Sequence, residues 1–156
     1  MPENQDKYKL GGNSRMTTLR MAALAAACAF SFIGGPAFAH GDVTPQPIDT
    51  AGLEPLGEAW REENPYRGNA KALEIGSSGY NQNCARCHGL QVISGGLAPD
   101  LRYLDLGKPG DTWFLERVRH GAKKPDGSTM MPGFEGTFNQ EAMWAIRTYI
   151  ESVHVD

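Results

Sequence analysis

Five consecutive residues, Cys84-Ala85-Arg86-Cys87-His88, constrain this chain more than anything else in its 156 residues. Two thiols stand two residues apart, and an imidazole follows the second directly. Three chemistries use such a pair: a zinc site, a redox disulfide, and covalent attachment of c-type haem. Zinc asks for a second ligand pair at short spacing, and the sequence has none. A redox pair asks for a βαβ setting, and no convincing strand pattern surrounds this one. C-x-x-C-H is the attachment signature of c-type haem. One helical turn brings the two sulfurs opposite the two vinyl groups of a porphyrin, and the adjacent imidazole is aimed at the iron from one face. The expected cofactor is one covalent haem c, held by Cys84 and Cys87 with His88 as an iron ligand.

The rest of the cysteine count depends on the compartment. Residues 20–39, RMAALAAACAFSFIGGPAFA, read as a secretory signal peptide. Arg20 supplies the positive end, residues 21–33 the short apolar stretch, Gly34-Gly35-Pro36 the break, and Ala37-Phe38-Ala39 the small-x-small cleavage pattern. Cleavage is expected after Ala39, in a segment 1–39 whose polar first 15 residues leave Met1 or Met16 as the start. The third cysteine, Cys28, departs with this segment. What remains is an exported, periplasmic chain with only the paired thiols. Its 11 Lys+Arg and 16 Asp+Glu give a charge of −5. That sign argues against a nucleic-acid partner and favours one that presents a basic patch. No apolar run reaches the roughly 20 residues of a bilayer span.

Three helices and two long loops are legible after residue 40. Residues 40–69 form a Pro-dotted acidic arm with Trp60 and Tyr66 as its packing rings. The first helix covers about 70–83, with Ala72, Gly76, Tyr80 and Cys84 on one side at four-residue steps. Gly76 on that stripe makes sense only where another helix crosses at close range. The second helix is expected to start at Asp111 as N-cap and to stop at Gly121, with His120 in its last turn. The third follows Asn139 as cap, and Met143, Trp144, Ile146, Tyr149, Ile150 and Val153 form its apolar face. Residues 89–108 and 122–138 are Gly- and Pro-rich loops. Loops this long in so small a domain wrap around something. The expected architecture is therefore mostly α, with three main helices and long loops around one covalent haem over residues 70–156.

An iron held by His88 needs a ligand or an open position on its other side. The available thioethers are Met130, Met131 and Met143, and the spare imidazoles His120 and His154. Met131 is favoured, because Pro132-Gly133 follows it in a loop able to carry a side chain back over the ring. Met143 sits on the third helix as core, and Met130 would need a one-residue slip. His40 and His154 read as solvated. Arg102 is open to two roles, pairing with a haem propionate or standing as an ordinary surface arginine.

Taken together, Gly76-x3-Tyr80-x3-Cys84-x2-Cys87-His88, Ala98-Pro99-Asp100-Leu101, Met131-Pro132 and Ile146-x2-Tyr149 resemble the class I cytochrome c family over about residues 70–153. The resemblance implies a cytochrome c fold in which Gly76 and Tyr80 meet Ile146 and Tyr149. It also implies that the Pro99 carbonyl accepts from the free ring nitrogen of His88, with Pro99, Leu101 and Arg102 in the haem pocket. Over about 41–153 the segments GDVTPQ, GLEPLGEAWREENPYRGN, GYNQNCARCHGL, ISGGLAPDLR and NQEAMWAIRTYI are similar to PedF-type periplasmic cytochromes c, the acceptors for PQQ-dependent (quinoprotein) ethanol dehydrogenases. The implied function is one-electron transfer without a catalytic residue. The dehydrogenase is the donor, and a terminal oxidase or another cytochrome the acceptor. The alternatives are a small peroxidase with an open iron position and a cytochrome subunit fixed in a dehydrogenase complex.

Overall fold

The computed structural model describes residues 44–156, and the signal peptide, its cleavage site and His40 lie outside them. Among these residues four helices stand in the order α1 (Ala70–Asn83), α2 (Ala85–His88), α3 (Gly107–His120) and α4 (Gln140–Ser152), with a two-stranded ribbon of β1 (Ala122–Lys123) and β2 (Thr129–Met131) between the last two.

Both long outer helices begin where an asparagine side chain takes up their free backbone N–H groups. Asn69 accepts from the N–H groups of Lys71 and Ala72, and Asn139 from that of Ala142. The two helices cross at Gly76. A Cβ there would lie 1.8 Å from the Ala145 carbonyl oxygen, so only glycine lets the backbones approach this closely. One turn on, the rings of Tyr80 and Tyr149 meet at 5.5 Å between centroids, tilted by 57°. Gly76, Tyr80, Ile146 and Tyr149 are all buried, which is the contact the resemblance implies.

The helix α3 departs from expectation. It starts at Gly107, one turn before Asp111, and Leu106 at its cap position makes no side-chain capping bond. Pro109 falls in the first turn, where its missing N–H breaks no intrahelical bond. Asp111 is therefore no cap: it is fully buried and pairs with Arg147 of α4, Nε to Oδ1 at 2.8 Å. The ribbon is a second departure. Residues 122–131 read as loop because two and three residues are too few to show an alternation. Its turn is held by Asp126, whose Oδ1 accepts from the backbone N–H of Ser128 at 2.9 Å.

Residues 44–69 have no helix or strand, yet they are tied closely to the helices. Leu53, Leu56 and Tyr66 are buried. The Leu56 N–H donates to Glu141 Oε1 at 2.7 Å, and Gln140 Nε2 donates to the carbonyls of Gly57 and Ala59. The Tyr66 hydroxyl donates to the Glu54 carbonyl, and burial pushes its pKa up to about 12, keeping it a neutral donor. Trp60 lies under the Arg119 guanidinium at 4.1 Å, so both aromatic rings of the arm pack as expected. Enclosed by α1, α3 and this arm, α4 is buried at nearly every position from Gln140 to Ile150.

Candidate functional site

The motif sits on a sharp local turn. Cys84 closes α1, its N–H donating to the Tyr80 carbonyl at 2.8 Å. The N–H groups of Cys87 and His88 then both donate back to the Cys84 carbonyl, at 3.1 and 3.0 Å. This single turn, α2, sets the two cysteines at i and i+3, on one side of it. Both thiols are free, Cys84 half-buried and Cys87 exposed.

Behind the motif the chain turns at Gly89, whose φ of +84° and the Ile93 carbonyl 1.8 Å from any Cβ exclude other residues. The Tyr80 hydroxyl donates to the Gly89 carbonyl at 3.0 Å. His88 Nδ1 stands 2.9 Å from the Pro99 carbonyl oxygen. A carbonyl only accepts, so Nδ1 carries the proton and the lone pair is left on Nε2. That is the tautomer an iron ligand requires, with the second bond raising its basicity. Ser94 braces the loop between, its Oγ donating to the Ala98 carbonyl at 2.5 Å. Nothing in the sequence singled it out.

Leu101 is buried in the turn that follows Pro99. Asp100 caps this turn and binds Arg102 through both oxygens, Nε to Oδ1 at 3.0 Å and Nη2 to Oδ2 at 2.8 Å. This pairing holds the Asp100 carboxyl down at about 2. Asp100 engages the Nε–Nη2 edge of Arg102, and the remaining N–H groups of the guanidinium leave both of its roles open.

The two neighbouring methionines separate on β2. Successive strand residues point to opposite faces; Met130 is 63% exposed, while Met131 is half-buried against the core. Gly121, at φ +74°, lets the end of α3 press on the Met131 carbonyl, 2.3 Å from where a Cβ would stand. Met143 is fully buried in α4, as expected of a core residue. His120 ends α3 with Glu135 at 3.4 Å and Glu116 at 3.8 Å. His154 corrects its reading as solvated: it is half-buried, with Nδ1 enclosed and without a partner among the described residues. A cleft of about 460 Å³ lined by Arg67, Gly68, Leu106, Gly107, Thr148, Glu151 and Ser152 includes none of the motif's residues.

The residues present fit a covalent haem. The donor set is two thiols on one turn, an imidazole with Nε2 free and a thioether turned inward. Seven large apolar side chains between Leu90 and Met130 are left exposed, Leu90 at 72% and Leu97 at 77% among them.

Comparison with known proteins identifies the family. Residues 71–150 match the family model described as cytochrome C oxidase, cbb3-type, subunit III. The chain belongs to the class I c-type cytochromes, with the cytochrome c fold, and carries a single covalent haem c. Over 124 residues it is 60% identical to cytochrome c550 of Pseudomonas aeruginosa, covering 77% of this chain and 85% of that protein. Two quinohemoprotein alcohol dehydrogenases of Pseudomonas putida are similar to it over a small part of their own length. ADH IIB is 35% identical over 92 residues, 59% of this chain and 13% of the enzyme. ADH-IIG is 34% identical over 79 residues, 51% of this chain and 10% of the enzyme. No solved structure matches the chain. Membership of this family makes it an electron-transfer protein rather than an enzyme, which sets aside the peroxidase reading. No helix among the described residues is long and apolar enough to cross a membrane.

Proposed function

We propose that this cytochrome is a periplasmic carrier that takes single electrons from a PQQ-dependent alcohol dehydrogenase oxidising ethanol and passes them to a terminal oxidase or another cytochrome. The observation that carries the donor assignment is the shared segment. A stretch like this chain forms part of two quinohemoprotein alcohol dehydrogenases. A segment built into such an enzyme in one protein serves as its separate acceptor in another. In this reading residues 1–39 are the export signal, 40–69 a steering arm, and 70–156 the haem domain.

When bound, haem supplies a one-electron couple that needs no acid or base from the protein. Cys84 and Cys87 are the residues that would hold it covalently, and His88 and Met131 those that would supply its iron with an imidazole and a thioether. Pro99 keeps the His88 ring in one tautomer, and Leu101 helps close the loop around it. The exposed apolar side chains of the 90–130 region would keep water from the haem. Glu54, Glu58, Glu62 and Glu63 of the arm are exposed and give encounters a negative face. A carrier must bind, transfer and leave, so charge here serves steering more than holding.

The test mixes purified ferric protein with a quinoprotein alcohol dehydrogenase and ethanol and follows haem reduction by absorbance. Reduction is expected, and it slows as salt rises, because screening shortens to ~8 Å near physiological ionic strength. Reduction by another periplasmic donor, with none by quinoprotein alcohol dehydrogenases, would leave the cytochrome standing and remove its donor.

A further inference from the structure

Arg147 lies in the middle of α4 with no exposed surface, a guanidinium inside an otherwise apolar stretch. Its Nε donates to Asp111 Oδ1 at 2.8 Å, and its Nη2 to the backbone carbonyl of Asp105 at 2.5 Å. The other oxygen of Asp111 accepts from the Asn64 N–H at 2.9 Å and from Arg67 Nη2 at 2.6 Å. Stability alone accounts poorly for this group. A buried ion pair rarely outdoes apolar residues of its own volume, and this one leaves Arg147 Nη1 enclosed without a partner among the described residues. What the guanidinium achieves, and an apolar side chain could not, is a grip on the Asp105 carbonyl. Gly110 tightens that grip: a Cβ there would stand 1.7 Å from the same oxygen and 2.6 Å from Arg147 Nη2.

Asp105 ends a short segment whose other end is Pro99. Between them the Arg102 carbonyl accepts from the Val155 N–H at 3.1 Å, and Asp100 caps the turn by accepting from the Arg102 N–H at 3.1 Å. The segment is thus fastened at its tail by α4, in its middle by the C-terminal residues and at its head by its own cap. The first residue offers the carbonyl that His88 Nδ1 meets.

We propose that Arg147 is a positioning residue for the haem ligand: by holding Asp105 it fixes residues 99–105, so that the Pro99 carbonyl stays within reach of the His88 ring proton. Through Asp111 the same fastening reaches Asn64 and Arg67 of the arm. The inference rests on His88 as the iron ligand. A firm bond from Nδ1–H to a carbonyl makes the imidazole a stronger donor and favours oxidised iron. A loosened segment weakens that bond and raises the midpoint potential. A coupling of this kind needs a readout at the far end, since packing continuity alone does not establish it.

The experiment uses the holoprotein. Arg147→Lys keeps a cation for Asp111, but one ammonium replaces a fork that spans two acceptors. Gly110→Ala pushes on the Asp105 carbonyl and on Arg147 Nη2 while leaving every charged group in place. Glu74→Gln, which breaks the exposed pair with Lys71, is the control. Exchange of the His88 Nδ1 proton in the reduced protein is followed by NMR, and the midpoint potential is measured alongside. Exchange about tenfold faster is expected in both test variants, the factor that corresponds to one hydrogen bond of ordinary strength. The potential should rise in both, and Glu74→Gln should match the wild type. Wild-type exchange and potential in both test variants would overturn the proposal even if their melting temperatures fall, because Arg147 would then be structural only. Should Arg147→Lys fail to fold, Gly110→Ala decides by the same two measurements. A His88→Ala protein with an unchanged low-spin spectrum would remove the ligand assignment itself, a separate failure.

Discussion

The arm side and the loop side of this molecule solve the same problem in opposite ways. Residues 44–69 lack regular structure, yet their polar atoms meet named partners on α3 and α4, from Leu56 at Glu141 to Asn64 at Asp111. Residues 89–106 and 122–133 make fewer such ties to α3 and α4, Asp105 at Arg147 among them, and leave Leu90, Ile93, Leu97, Tyr103 and Met130 in water. The first region is a core completed by the chain's own atoms. The second is half of a core, and the family's covalent haem c is the other half. Irregular backbone is therefore no guide to looseness; what matters is whether the chain encodes the partner.

The sharpest way to break that contrast is to withhold the missing half. In a Cys84→Ser, Cys87→Ser protein, amide hydrogen exchange should rise most in 89–106 and 122–133, while α4 and residues 53–66 keep most of their protection. Equal loss in both regions would erase the distinction. Next in size is the arm side's own weak point. Asp111→Ala strands a buried guanidinium and should cost about 3–5 kcal/mol in denaturant unfolding of the holoprotein. The same residue sets an acid limit. Burial alone would raise its pKa, but the Asn64 N–H and the Arg147 and Arg67 guanidinia hold it below the ordinary aspartate value. A depressed folded-state pKa gives stability that is full above the unfolded value and lost as pH falls through the folded one. Asp111→Asn should flatten that acid limb of the stability curve.

A third comparison sets two methionines against each other. Met143→Ala should cost about 2–5 kcal/mol through the cavity it leaves in α4, with little change in the haem spectrum. Met131→Ala should abolish the weak sulfur-to-ferric charge-transfer absorption and lower the potential. If Met130→Ala does this instead, the register on β2 is wrong by one. The smallest effect belongs to the surface: Glu62→Gln should leave unfolding and spectrum unchanged, since exposed pairs contribute little.

How far these features could be read in advance depends on whether a residue's partner is local. Asn139 and Gly76 announce themselves, because a cap or a close crossing leaves a distinct residue at a fixed place. The haem motif is local by construction. Asp111 misled because a carboxylate after glycine looks like a cap, whereas its partner Arg147 comes from the last helix. The charge inside Met143–Ile150 was the available signal: an arginine on a buried stripe demands an acid elsewhere. The ribbon left only its Asp126-Gly127 turn as a sign. Arg102 illustrates the reverse case, a side chain whose partner, Asp100, stands only two residues away.

The passage of backbone against backbone at Gly76 has a consequence for the order in which the protein matures. It joins a helix near the start of the domain to one at its very end, so α1 gains its main support only when α4 arrives. Contacts this distant along the chain form late. A nascent chain emerging N-terminus first therefore presents Cys84 to His88 as a pliable peptide, open to whatever attaches the porphyrin, until the C-terminal helix is delivered and the site closes around its cargo.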